Sequence, residues 1–132
     1  MITIKLPTSI TLPRKTKKDR KIALNKNIER VLHYRTYVAI KHIFTEILRE
    51  TLKDQVIELK PPCHFHYQYF HSTKHLGDLD NCTGILKKFI QDSLVELGYL
   101  SEDNWNFIPS SSEEFGGYSL KDGYCLLTIT NL

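Results

Sequence analysis

Long apolar runs are missing from this chain, and with them any stretch approaching the ~20 residues that a bilayer-crossing helix needs. Cysteine is scarce. Cys63, Cys82 and Cys125 form an odd, widely spread set, which is neither a disulfide framework nor a CxxC metal knuckle. The opening Met1-Ile2-Thr3-Ile4-Lys5-Leu6 alternates as a strand does and lacks the apolar block of a signal peptide. No internal repeat is visible. These absences argue for a protein of a reducing cytoplasm with no membrane and no disulfide scaffold. What remains is ordinary for a globular domain: 132 residues, 41% hydrophobic and 25% charged, which is one domain with a real core.

The net charge of +3 hides an asymmetry. Through Arg30 nine basic residues (Lys5, Arg14, Lys15, Lys17, Lys18, Arg20, Lys21, Lys26 and Arg30) face only Asp19 and Glu29. The rest of the chain then holds nine basic against thirteen acidic residues, from totals of 18 and 15. A basic arm ahead of an acidic body suits a polyanionic partner better than a small-molecule substrate. Arg14, Lys15, Lys17, Lys18, Arg20 and Lys21 are therefore the candidate phosphate contacts, with Lys74 and Lys87 beside the later motif. A run of this kind also serves simply as a solvated loop.

Hydrophobic periodicity sets out the elements. Residues 2–6 read as a strand, and 7–27 as an irregular basic loop or arm. A helix is expected over 28–53, with Tyr37, Ile40, Phe44, Ile47 and Leu48 on its apolar stripe. A short alternating piece covers 56–60, ended by Pro61-Pro62. A clear strand covers 63–70, with Cys63, Phe65, Tyr67 and Tyr69 on one face and His64, His66, Gln68 and Phe70 on the other. A second helix is expected over 81–97, burying Leu86, Phe89, Ile90, Leu94 and Leu97 and stopped by Gly98. Residues 105–108 read as a further strand, 109–117 as a loop and 124–130 as a closing strand. The fold class is α+β, in the order β-α-β-β-α-β-β, with a mixed sheet and two helices.

The stretch Gly77-Asp78-Leu79-Asp80-Asn81 carries the chemistry. In an extended segment Asp78 and Asp80 leave the backbone on the same side. Asp80 also stands where a helix N-cap belongs. After the helix, Ser101-Glu102-Asp103-Asn104 returns two more acids in a turn. Converging carboxylates repel one another unless a cation sits between them, and oxygen ligands alone favour Mg2+ or Mn2+. Cys63, His64, His66, His71 and His75 offer a rival zinc site, but Cys63 should point away from His64 and His66 on the strand. Tyr67, Tyr69 and Phe70 read as core or interface residues, with base stacking the lesser alternative.

Several features together resemble the RusA family of Holliday-junction resolvases. They are the strand leading into Asp78-Leu79-Asp80-Asn81, the helix with its Asp92-Ser93-Leu94 step, the Leu97-Gly98-Tyr99-Leu100-Ser101-Glu102-Asp103 turn and the final Leu127-Thr128-Ile129-Thr130 strand. The likeness is best from about residue 61 to 130. It implies a homodimeric, Mg2+-dependent endonuclease (Mn2+ substituting) that cleaves branched DNA in recombination and repair, in a bacterial or phage-infected cell. Asp78, Asp80 and Asp103 become the metal-binding and catalytic carboxylates. The family also uses a helix lysine. Counting from Asn81 puts Gly84 at that position, whereas counting back from Asp92 puts Lys88 there, with Lys87 adjacent. The family's arginines before the first aspartate are replaced by His71, Lys74 and His75. Two alternatives stand beside this reading: a catalytically silent branched-DNA-binding protein, and a metal nuclease acting on flaps or single strands.

Overall fold

The computed structural model describes all 132 residues apart from the side chains of Glu29 and Val31. The elements run β1 (Ile2–Pro7), β2 (Ser9–Leu12), β3 (Arg20–Ala23), α1 (Asn27–Val31), α2 (Tyr34–Leu52), β4 (Cys63–His71), α3 (Leu79–Glu96), β5 (Ser110–Tyr118) and β6 (Tyr124–Asn131). Four strands make one mixed sheet in the order β1-β6-β4-β5, and β2 pairs with β3 as a separate hairpin. β6 lies antiparallel to both β1 and β4, whereas β4 and β5 are parallel, so α3 is the crossover between them. The class is α+β with two long helices.

Alternation builds the sheet. Cys63, Phe65, Tyr67 and Tyr69 of β4 are buried together with Cys125, Leu127 and Ile129 of β6 and Ile4 and Leu6 of β1. Both long helices cover that face. α2 offers Ile40, Phe44, Leu48 and Leu52, one turn apart, and α3 offers Ile85, Leu86, Phe89, Ile90 and Leu94. Phe89 is the hub: its ring sits 5.5 Å from Tyr37 and 5.8 Å from Phe44, and burying such a side chain contributes about 1.5–3 kcal/mol. A buried polar contact, Thr45 Oγ1 to Ser93 Oγ at 2.8 Å, ties α2 to α3 within this layer. Lys41 and Asp92 join the same helices at 2.7 Å nearer the surface. Gly98 ends α3 as the spacing implied, at φ +85°, with Gly98 N–H donating to Val95 O and Tyr99 N–H to Leu94 O.

Five expectations are corrected. The arm at 7–27 is not irregular, because Ile10 and Ile22 pair across β2–β3 and are both buried, anchoring a hairpin to the body. The helix expected over 28–53 breaks at Leu32, which is extended, and His33 Nδ1 then accepts from Arg35 N–H to start α2. Residues 56–60 form no strand; Val56 is fully exposed and Pro61-Pro62 offer no N–H to a ladder. Residues 105–108 are a turn, since Asn104 Oδ1 accepts from Asn106 N–H and Asn104 O from Phe107 and Ile108 N–H. Conversely, most of the loop expected over 109–117 is β5, a polar edge strand that β4 pairs along its whole length. The observed order is thus β-β-β-α-α-β-α-β-β rather than β-α-β-β-α-β-β.

Candidate functional site

The entry to α3 is where chemistry gathers. Asp78, not Asp80, is the N-cap residue, with φ −89° and ψ 132°, and its side chain makes no capping bond. Asp80 sits inside the first turn, where the helix dipole favours a carboxylate. Both side chains are exposed, and neither has an ion pair or side-chain hydrogen bond among the described residues. Their oxygens are free for a hard cation.

Asp103 lies elsewhere. Its exposed turn precedes β5, and the neighbouring Phe107 O accepts from Cys63 N–H at the start of β4. Asp78 instead shares a cleft with Tyr69 and His71 at the end of β4. The 18 residues of α3 run between these two places, a span of about 27 Å. One copy of the chain therefore carries Asp78 and Asp80 at one end of α3 and Asp103 beyond the other. The extended alternation expected to put Asp78 and Asp80 on one side stops at Asp78, because Asp80 is already helical. No group of three metal-ligating side chains converges among the described residues.

The lysines divide. Lys87 leans over the sheet, with Nζ 3.6 Å from Glu113 and 5.8 Å from the Tyr67 ring centre. Thr83 Oγ1 reaches the same Glu113 carboxylate at 2.5 Å. Lys88 is exposed, and so is Gly84, whose missing Cβ would meet nothing within 4 Å. On the hairpin, Arg14, Lys15, Lys17, Lys18, Arg20 and Lys21 are all exposed, and Arg14 Nε closes the loop by donating to Lys18 O at 2.8 Å. Lys74 is exposed on the connection from β4 to α3. The arm is a basic projection held by an apolar root.

Two histidines of β4, His64 and His66, are spent on β5. His64 contacts Ser110 Oγ at 2.7 Å and Ser112 Oγ at 2.9 Å, and His66 contacts Ser112 Oγ at 2.6 Å and Glu114 at 2.9 Å. A carboxylate only accepts, so in the neutral rings His66 Nε2–H donates to Glu114 and Ser112 O–H donates to His66 Nδ1. His64 Nε2–H then donates to Ser112, and Ser110 to His64 Nδ1. All four ring nitrogens are used, and Cys63 is buried on the opposite face. The zinc alternative therefore finds no free ring nitrogen on His64 or His66.

A cleft of about 290 Å³ opens at the C-terminal edge of β4 and β5, lined by Tyr69, His71, Asp78, Cys82, Phe115 and Tyr118 among others. Parallel strands place ligand crevices at this edge. The Tyr69 hydroxyl meets His71 Nδ1 at 2.8 Å, and burial, followed by its bond to the Cys82 thiol, pushes the phenol well above its usual range. Phe115 and Tyr118 meet edge to face at 5.2 Å and are half exposed. Ser/Glu/Gly-rich surroundings disguised Phe115 as a loop residue; only pairing with β4 brings it and Tyr118 to the wall. Of the aromatic residues singled out in β4, Tyr67 is fully buried with its hydroxyl accepting from Gln91 Nε2 at 2.9 Å, and Phe70 stacks on Tyr124 at 4.4 Å.

No helix among the described residues is long and apolar enough to cross a membrane. No family model matches the chain, and comparison with curated proteins finds none similar.

Proposed function

We propose that the protein is a RusA-like, homodimeric, Mg2+-dependent endodeoxyribonuclease that resolves four-way DNA junctions. One observation carries the reading: Asp78 and Asp80 both stand exposed at the start of α3, their side chains engaged by no group among the described residues, with Asp78 on the lip of a cleft. The exposed basic hairpin supports it as a surface for backbone phosphates, whose contribution falls with salt.

The geometry adds a condition. With Asp103 at the far end of α3, the three carboxylates meet only if a second copy presents its 101–104 turn to the first copy's Asp78 and Asp80. A two-fold axis makes two such sites, one for each of two symmetric strands. Each site needs both chains. When bound, Mg2+ supplies a Lewis acid and an activated water for phosphodiester hydrolysis. The chain's own contribution is to hold the carboxylates on a rigid helix start and to fix the phosphates with the arm. Lys88, exposed and unpaired among the described residues, is the lysine free to meet developing phosphoryl charge.

The engagement of Lys87 by Glu113 favours a second reading, the silent branched-DNA binder. A junction-cleavage assay in Mg2+ comparing wild type, Asp80→Asn and Lys88→Ala separates the two. Wild-type cleavage lost in Asp80→Asn supports the nuclease, and tight binding with no wild-type cleavage supports the silent module. Preference for flaps over four-way junctions would keep the metal chemistry but replace the substrate.

A further inference from the structure

The aromatic cleft beside Asp78 does not stand alone. A second hollow of about 390 Å³ adjoins it, sharing Tyr69, His71 and Cys82 and extending to Lys21, Ser72, Thr73 and Lys121. The two halves differ in chemistry. One is walled by the half-exposed rings of Phe115 and Tyr118, with the Asp78 carboxylate at its edge. The other gathers hydroxyls and two lysines, of which Lys21 Nζ donates to Lys121 O at 3.3 Å.

Lys121 adopts φ +80°, a conformation that L side chains rarely hold, with its N–H donating to Ser72 O at 3.2 Å. Glycine would occupy this turn with less strain. A long cationic side chain here therefore carries a backbone cost, in a turn whose own carbonyl the Lys21 ammonium reaches. Two lysines lining one hollow favour an anion there, and flat aromatic faces favour a planar ring. Asp78 accepts from exocyclic amines, and His71, whose Nδ1 is occupied by Tyr69, keeps Nε2 for a ligand.

We propose that the paired hollows bind one unpaired nucleotide of a nucleic-acid strand, with its base against Phe115 and Tyr118 and its phosphate toward Lys21 and Lys121. This rests on the nucleic-acid reading above and deepens it, by assigning the recognition of a strand opening to a built site rather than to charge alone. A base drawn out here lies directly beside Asp78.

The test is fluorescence anisotropy of the full-length protein in EDTA, so that nothing is cleaved. Three labelled duplexes are compared: fully paired, with a one-nucleotide bulge, and with the same bulge made abasic. Wild type is expected to prefer the intact bulge to the abasic one by roughly ten- to hundredfold, the range for stacking one base on protein aromatic rings. Phe115→Ala, at an exposed position, removes that preference and leaves the abasic affinity unchanged. Lys121→Gly weakens both bulges alike and lowers the salt slope by about one, while its melting temperature is no lower than wild type because the turn is relaxed. Equal wild-type affinity for the intact and abasic bulges, or a preference surviving Phe115→Ala, overturns the nucleotide site while the nucleic-acid reading stands. Absence of binding to all three duplexes and to a four-way junction overturns both.

Discussion

Two inactive variants should restore each other. Oxygens bound to one Mg2+ lie within about 4 Å of each other, whereas α3, with 18 residues between Asp80's end and Asp103's end, spans about 27 Å. If the active centre is built across two copies, Asp80→Asn and Asp103→Asn are each inactive alone, since every site lacks one acid. Mixed and allowed to exchange, half the dimers are hybrids, each with one intact site and one doubly damaged site. The mixture should then nick a labelled junction at about a quarter of the wild-type rate, without paired cleavage. The reciprocal control uses wild type mixed equally with the double variant. A shared site leaves about a quarter of the activity, because hybrids are dead, whereas a site within one chain leaves about half. Exchange is verified with two differently tagged chains, and binding of intact junction shows that each variant is folded. A tagged hybrid that binds junction but stays at background would refute the shared site.

Alkali should unfold the protein early. Burial pushes the Cys125 thiol up to about 12, and burial likewise raises the Tyr67 and Tyr69 phenols. The unfolded chain releases these protons first, so stability is complete below about pH 9 and declines through pH 12, by ~1.4 kcal/mol per pH unit for each group in its window. Urea midpoints measured across that range check this, and Cys125→Ala should make the decline shallower. Ser93→Ala should cost about 0.5–1.5 kcal/mol by removing the interhelical bond, while Thr45 keeps Lys41 O as an acceptor; a denaturant midpoint equal to wild type would contradict that role. Gly98→Ala forces a Cβ into φ +85° and should cost about 1 kcal/mol, read as a lower melting temperature with unchanged junction binding.

The elements that depend on short-range pattern were legible before any coordinates. β4 alternates because each neighbour flips face, α2 and α3 bury every third or fourth residue, and Gly98 turns left-handed at less cost than a residue with a Cβ. The place of Asp78 and Asp80 at a helix start was legible too, but not their geometry: the extended pattern ends at Asp78, and Asp80 already lies in the first helical turn. Four features were not: the pairing of polar β5 with β4, the rooting of the basic arm by Ile10 on Ile22, the break at Leu32 and the turn held by Asn104. β5 has almost no apolar signal, and its strand character comes from backbone bonds to β4 and from the serines and glutamate that β4's histidines hold. Only the tertiary structure could place Asp103 at the far end of α3 and the Phe115–Tyr118 pair beside Asp78, because a helix carries its two ends apart by its own length and a parallel crossover brings distant strand ends together.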